Sequence, residues 1–456
     1  MDVLLEVDLS GGRRRGVEEA LRAAIRAGRL ATGTALPSTR QLAADLGLAR
    51  GTVVDAYEQL RIEGYLAARP GGRTIVAAAV PPPAAAPDPA RPAPPRFDLR
   101  AGAPDLSLFP AGDWVRAVRA VLRDGPADAL DYARPRGRAE LRVALAAYLA
   151  RARGVAAEPE QVVICSGADD ALAVLARALV AAGRPTVAME DPCLDFHRAI
   201  VAGAGGEVVP APVDGGGLDV DALAATGAAA VVATPARQAV VGSTMAPARR
   251  GALVAWARRT GAVVVEDDYD GELRYDRLPI GAVQGLDPAR VAYVGTTSKS
   301  LAPGLRLAWL VVPPALAASV DAVLGPHSAV SSLDQLALAT LVREHALDRH
   351  LRRVRAAYRT RRDRFVATLA AGAPRARVEG VAAGLHALVR WPPAAASEAD
   401  VLAEAAARGI GVTPVGPMWH GTARFAGVLA AYGRPPAHDA RRCFTAFAEL
   451  MADVTR

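Results

Sequence analysis

The chemistry in this 456-residue chain is concentrated around a single lysine, because all the other basic side chains among its 54 are arginine. Lys299 lies in GTTSKSLAPGLRL, with Thr296 and Ser298 just before it and Arg306 seven residues after it. Arginine stays protonated and cannot form an imine, whereas a desolvated lysine can lose its proton and attack an aldehyde. The neighbouring hydroxyls and guanidinium suit a phosphate. Such a set fits an aldehyde cofactor that carries a phosphate group. Ser166-Gly167-Ala168, where an apolar run gives way to a helical one, offers further phosphate contacts through backbone N–H groups at a helix N-terminus. Asp267, ending AVVVED, suits a protonated pyridine nitrogen, and Tyr269 a ring hydroxyl. Singly these motifs are weak: S-G-A before a helix is common, and an acidic pair ending a strand is more often a solvated edge or a metal ligand.

These residues need a scaffold, and the sequence predicts one. From Phe97 on, QVVIC (161–165), TVAME (186–190), AVVAT (230–234), AVVVED (262–267), RVAYVGT (290–296) and LAWLVV (307–312) alternate with helix-length segments. Continuous apolar strands of this kind belong to an α/β fold with a mainly parallel sheet covered on both faces, and ligands sit beyond the carboxyl ends of its strands. After Leu333 a long Arg-rich helix, HLRRVRAAYRTRRDRF, precedes a smaller C-terminal α+β subdomain. Its basic stretch, His350 to Arg364, reads as a solvated face or as an extra contact for DNA or for the N-terminal unit.

Residues 13–76 read as a separate unit. Val17, Leu21, Ala24 and Ile25 recur at helical spacing. Ser38 with Gln41 three residues on has the form of a capping box, so a second helix starts there and ends at Gly47. A third helix carries Val53, Ala56, Tyr57 and Leu60 on one face, and GYLAARPGGRTIV alternates about a Pro-Gly-Gly turn as a hairpin. In a helix-turn-helix of this order the second helix of the motif enters the major groove. That places Arg50 and Thr52 at base edges or phosphates, Ser38, Thr39 and Arg40 beside them, and Arg69 and Arg73 at the hairpin turn. Charge alone does not decide the matter, since residues 1–76 hold 11 arginines against 9 acids. Between the units, residues 77–96 are almost wholly Ala and Pro and read as an extended linker.

Composition narrows the setting. A net charge of +7 agrees with an anionic partner but does not require one. Cys165, Cys193 and Cys443 are isolated, the N-terminus has the reverse of a signal peptide's charge order, and the apolar stretches are too short to span a bilayer. A cytoplasmic protein with no membrane association is expected. The histidines show no metal spacing, and no metal is expected.

The run from Leu21 to Val76, with its LPSTR, RGTVVDAYEQL and GYL segments, resembles the GntR-type winged helix across its length. Ala49 stands where that family often has Ser or Thr capping the recognition helix. The rest of the chain resembles the fold-type I, pyridoxal-phosphate-dependent aminotransferases, and the fusion resembles the MocR family of regulators. LFP (108–110), Y-x-x-P-x-G (132–137), EDP (190–192), EDDYD (266–270) and GLH (384–386) add to the likeness. It implies a transcriptional regulator that binds a double-stranded DNA operator and pyridoxal 5′-phosphate, with or without a small amine or amino acid effector, as a homodimer. By the same likeness Lys299 is the Schiff-base lysine, Ser166 and Arg306 hold phosphate, Asp267 faces the ring nitrogen, and Tyr132 reaches a neighbouring subunit's phosphate. The departures are specific. Leu194 replaces the stacking aromatic, with Phe196 as a substitute; TPARQAVVG (234–242) has lost the family's His and Pro-Thr; the chain contains no asparagine; and Leu429 stands where some relatives carry a carboxylate-clamping arginine, with Arg424 nearby but off register. They speak against efficient transamination more than against cofactor binding. An aminotransferase with an appended winged helix, and a cofactor-free dimerisation scaffold, are the competing readings.

Overall fold

The computed structural model describes residues 7–8, 10–69, 72–77, 94–275 and 280–455. The chain divides into two compact units, Met1–Ala93 and Pro94–Arg456. Residues 78–93 of the expected linker, and Pro70 and Gly71 of the expected hairpin turn, lie outside the described residues.

In the first unit α1 (Arg13–Arg26), α2 (Thr39–Asp45) and α3 (Arg50–Ile62) precede an antiparallel hairpin, β1 (Leu66–Ala68) with β2 (Thr74–Val76). The helical spacing of the apolar residues brings Val17, Leu21 and Ile25 against Val53, Tyr57 and Leu60 in one small core. Ser38 caps α2 by accepting from the Gln41 N–H at 3.1 Å. The other half of the expected capping box does not form, because Gln41 Nε2 donates to Asp45 Oδ1, one turn along the same face, at 2.7 Å. No side chain caps α3 at Ala49. The hairpin closes on itself from Arg69 N–H to Arg73 O at 2.9 Å, and Leu36 N–H to Thr74 O, also 2.9 Å, ties it to the segment before α2.

The second unit is built on an eight-stranded sheet. After β3 (Phe97–Asp98), its strands are β4 (Val162–Cys165), β5 (Thr186–Asp191), β6 (Glu207–Asp214), β7 (Gly217–Leu218), β8 (Ala230–Ala233), β9 (Val263–Asp268), β10 (Val291–Thr296) and β11 (Ala308–Val311). Their spatial order is β4-β11-β10-β9-β8-β5-β6-β7. The run from β10 through β6 is parallel, while β11 is antiparallel to both its neighbours and β7 to β6. All six runs expected as strands are present. β6 was not anticipated: Pro210 and Pro212 interrupt its pattern and its faces are half exposed, which suits a strand near a sheet edge.

Helices cover both faces. α4 (Ala111–Asp124), α5 (Ala139–Arg153), α6 (Ala168–Ala181) and α7 (Asp195–Gly203) precede or interleave with the first strands. Leu172, Leu175 and Leu179 of α6 pack on Val163, Met189 and Val294 from one side. From the other side Leu253 and Trp256 meet Val231 and Val264. A 27-residue helix, Ala346–Gly372, leads into a four-stranded C-terminal sheet of Arg377–Glu379, Ala387–Arg390, Gly427–Ala430 and Thr413–Pro414. The basic stretch of that helix is not uniformly solvated: Arg352, Arg359 and Arg364 are exposed, but Arg361 is buried and bonds Asp105 at 2.6 Å.

Candidate functional site

The first unit sorts its arginines into two sets. Arg14, Arg15, Arg22 and Arg61 are paired with Glu18, Glu19, Glu63 and Glu58. Arg40, Arg50, Arg69 and Arg73 are exposed and, among the described residues, pair with no carboxylate. Arg13, Arg26 and Arg29 are likewise exposed and pair with no carboxylate among the described residues, Arg26 bonding the Tyr65 hydroxyl. Within this larger unpaired set Arg40 opens α2, Arg50 opens α3, and Arg69 and Arg73 flank the hairpin turn, the positions expected to meet a polyanion. Thr39 and Thr52 are half-buried beside them. Ser38 uses its oxygen on the Gln41 N–H and still has a hydroxyl proton to donate.

In the second unit a cavity of about 400 Å³ lies beyond the carboxyl ends of β9 and β10. Lys299, Thr296, Ser298 and Arg306 line it from the segment after β10, Asp267, Tyr269 and Asp270 from the end of β9, and Ala168 and Asp169 from the start of α6. The C-terminal sheet and α7 complete the wall. Lys299 Nζ donates to Gly102 O at 2.6 Å, and Thr296 Oγ1 to Ser298 Oγ at 2.9 Å. Arg306, in left-handed conformation at φ 50°, donates to the backbone oxygen of Ser166. Gly167 has φ 95°, and a Cβ there would lie 2.4 Å from Arg306 Nη2. Only glycine lets the guanidinium lie against this helix N-terminus, where an anion would meet both.

Burial dominates the electrostatics. It pushes the Asp267 carboxyl up to about 7, helped by Asp268 and opposed by Lys299. It pulls the Lys299 ammonium down against the attraction of Asp270 and Asp267. Asp267 Oδ1 is buried and, among the described residues, has no hydrogen-bond partner. An orphaned buried acceptor costs about 1–3 kcal/mol, a cost that a donor delivered by a ligand removes. The donor set fits a flat heteroaromatic molecule with a basic ring nitrogen at Asp267, a phosphate at Arg306 and a carbonyl at Lys299.

Not every expected contact is made as expected. The Tyr269 hydroxyl accepts from Arg237 Nη1 at 2.8 Å and donates to Arg237 O at 3.3 Å, so it is already engaged. The Ser166 N–H is taken by Asp170 at 2.8 Å. Ser166 and Gly167 join the site through Arg306. Tyr132 is 78% exposed, stacked on His327 at 4.6 Å and outside this cavity. Leu194 and Phe196 both line the cavity, and Arg424 lies over the Trp419 ring at 5.7 Å instead of facing it.

The sequence reading missed Arg237, treated there only as a lost histidine. It is buried, pairs with Asp270 at 3.1 Å and donates to His386 O at 2.6 Å. The signal was available: an arginine in the apolar stretch TPARQAVVG needs an acid, and EDDYD supplies one. His197 and His386, which the sequence marked only by their lack of metal spacing, also line the cavity, and burial takes His197 down to about 4.

Residues 97–420 match the class I and II aminotransferase family, and residues 13–76 match the gntR family of bacterial regulatory proteins. The chain is 36% identical over 389 residues to the probable rhizopine catabolism regulatory protein MocR of Rhizobium meliloti, covering 80% of this chain and 78% of that protein. It is 33% identical over 457 residues to the HTH-type pyridoxine biosynthesis transcriptional regulator PdxR of Corynebacterium glutamicum, covering 96% of this chain and 95% of that protein. Among solved structures, an archaeal alanine:glyoxylate aminotransferase superposes with a TM-score of 0.71 at 24% identity, over 78% of this chain and 91% of that one, a likeness of fold. Among the described residues no helix is long and apolar enough to cross a membrane. The chain belongs to the MocR subfamily of GntR-type transcriptional regulators, in which a winged helix-turn-helix is fused to a fold-type I aminotransferase-like domain.

Proposed function

We propose that the protein is a cytoplasmic homodimer that binds operator DNA through residues 13–76 and senses pyridoxal phosphate, alone or with a small amine effector, through residues 97–456. The observation that carries the cofactor assignment is the unpartnered, buried Asp267 oxygen in the same cavity as the sole lysine. When bound, the cofactor supplies an aldehyde and an electron-withdrawing ring. Lys299, whose ammonium burial pulls down from its ordinary value, is the group that meets the aldehyde; Arg306, Ser298 and Thr296 hold the phosphate; Asp267 holds the ring-nitrogen proton. Arg237 keeps Asp270 and Tyr269 in place. The Corynebacterium relative's name, which refers to pyridoxine biosynthesis, supports a vitamin B6 ligand. Exposed Leu106, Leu122, Leu130 and Tyr132 support a second copy as partner.

Catalytic turnover is not expected, because the wall holds Leu429 where an arginine would clamp a carboxylate. Borohydride reduction with pyridoxal phosphate present should fix the cofactor on the Lys299 peptide, and Lys299→Arg should abolish the labelling. Label confined to the N-terminal amine would overturn the assignment. Sensing is tested reciprocally, since linkage requires that cofactor and operator change each other's affinity by the same factor. If neither affinity moves, the second unit is a dimerisation scaffold.

A further inference from the structure

One stretch of the cavity wall is apolar. Leu194, Met418 and Leu429 line it, and they belong to one packed cluster with Ala101, Val240 and Trp419. Leu429 is 1% exposed in the strand Gly427–Ala430, in register with Thr413 of the neighbouring strand, which also lines the cavity. Among the described residues the only cationic side chains in the lining are Lys299 and Arg306. Arg306 lies at the phosphate end, against Ser166 and 3.9 Å from Asp169.

The other arginines near this wall are committed elsewhere. Arg424 lies over Trp419, Arg390 lies 4.2 Å over the Phe425 ring, and Arg237 sits behind the wall with its charge matched by Asp270. The carboxylates in the lining are Asp169, Asp195, Asp267 and Asp270. A ligand carboxylate placed here would lose its water, find no guanidinium and face acids. An ammonium group on an apolar body would meet attraction at one end and burial at the other.

We infer that the effector site beside Lys299 accepts an apolar primary amine that carries no carboxylate, and discriminates against the corresponding amino acid. This rests on the proposed cofactor site, which it deepens by naming the effector class. Specificity here comes from the absence of a carboxylate partner as much as from the apolar wall.

The test compares matched pairs that differ only in the carboxylate, phenethylamine with phenylalanine and pentylamine with norleucine. Each is titrated into the full chain, with and without pyridoxal phosphate, by calorimetry and by visible absorption. The amine should bind more tightly by about tenfold or more in each pair, and Leu429→Arg should shift the preference toward the amino acid by a similar factor. Leu194→Arg, at a half-buried position, provides a second variant should the first fail to fold. Amino acids that bind as tightly as their amines to the wild-type chain overturn the inference, as does failure of the amines to bind. The cofactor reading fails through the absence of a visible band when pyridoxal phosphate is added alone. With no band, Arg306 holds no phosphate and stands open to a carboxylate, so the inference falls together with the cofactor reading, whereas a band without the amine preference overturns the inference alone.

Discussion

Arginine is used in opposite ways in the two units. In the winged helix, Arg40, Arg50, Arg69 and Arg73 are exposed and, among the described residues, without acidic partners, so their charge is available to something outside the chain. In the aminotransferase-like unit Arg153, Arg237 and Arg361 are buried against Asp268, Asp270 and Asp105, and their charge is satisfied within the protein. One residue type therefore supplies affinity in one unit and geometry in the other. The difference teaches that net charge is a poor guide to function here, because what matters is which cations remain unmatched. Substitutions should accordingly have separable consequences: stability without recognition in one unit, recognition without stability in the other.

The largest effect is expected at Arg153. It bonds Asp268 Oδ2 at 2.7 Å with both side chains 1% exposed, and Tyr293 donates to the same oxygen at 2.7 Å. Arg153→Met leaves a buried carboxylate without its counter-ion, and about 3–5 kcal/mol of stability should be lost. Urea unfolding of the cofactor-free chain measures it. A loss below about 1 kcal/mol would mean that the pair is not the interior brace described.

A smaller effect of opposite sign is expected at Asp267, whose carboxyl can stay protonated and avoid becoming a buried charge. Its folded pKa of about 7 exceeds the ordinary carboxyl value of 3.8, so between these values the folded state holds more protons than the unfolded state. Stability from this group is present in full at low pH and falls as pH rises through about 7. Asp267→Asn should therefore raise the melting temperature of the cofactor-free chain at pH 8 relative to wild type, change it little at low pH, and weaken pyridoxal phosphate binding. A variant that loses stability at pH 8 would show that the carboxylate is already compensated.

How much of this was legible in the sequence depended on whether the signal was local. The strands around Lys299 are written as continuous apolar runs and the helices of the winged unit as period-3.6 apolar patterns, and both are found where expected. β6 was obscured because Pro210 and Pro212 disguise a strand that needs only one good neighbour. Within the site, Lys299, Asp267 and Arg306 could be named from motifs. The Arg237–Asp270 pair belongs to no motif and was open only to the argument that an arginine in an apolar stretch needs an acid, since its partners are 33 residues apart and His386, which it also touches, lies 149 residues from Arg237. Likewise Gln41 was assigned to Ser38 because the motif allows it, whereas Asp45 offers a charged acceptor one turn away.

The winged unit supplies the third contrast. Arg50→Ala removes a cation that holds no part of the fold, so it should cost about 1–3 kcal/mol of operator affinity. If Arg50 reads a base, preference should relax at one position; if it holds a phosphate, the salt dependence should become shallower by about one. The melting temperature and cofactor affinity should not change. An unchanged operator affinity for both Arg40→Ala and Arg50→Ala would remove the winged helix from the recognition surface as drawn.

The smallest effect is at Ser38, where the two uses meet in one side chain. Its oxygen caps α2 through the Gln41 N–H at 3.1 Å, and its exposed position beside Arg40 makes it a phosphate donor as well. Ser38→Ala removes both roles and should cost about 1 kcal/mol of stability, which by itself does not separate them. Ser38→Asp does. Aspartate is as good an N-cap as serine and its charge suits a helix N-terminus, so stability should stay within a few tenths of a kcal/mol. The same charge faces the DNA phosphates, and operator affinity should fall more than in Ser38→Ala, with the gap narrowing as salt is raised. Equal affinity for the two variants at low salt would assign Ser38 to the fold alone and leave Arg40 and Arg50 as the contacts at this end of the helices.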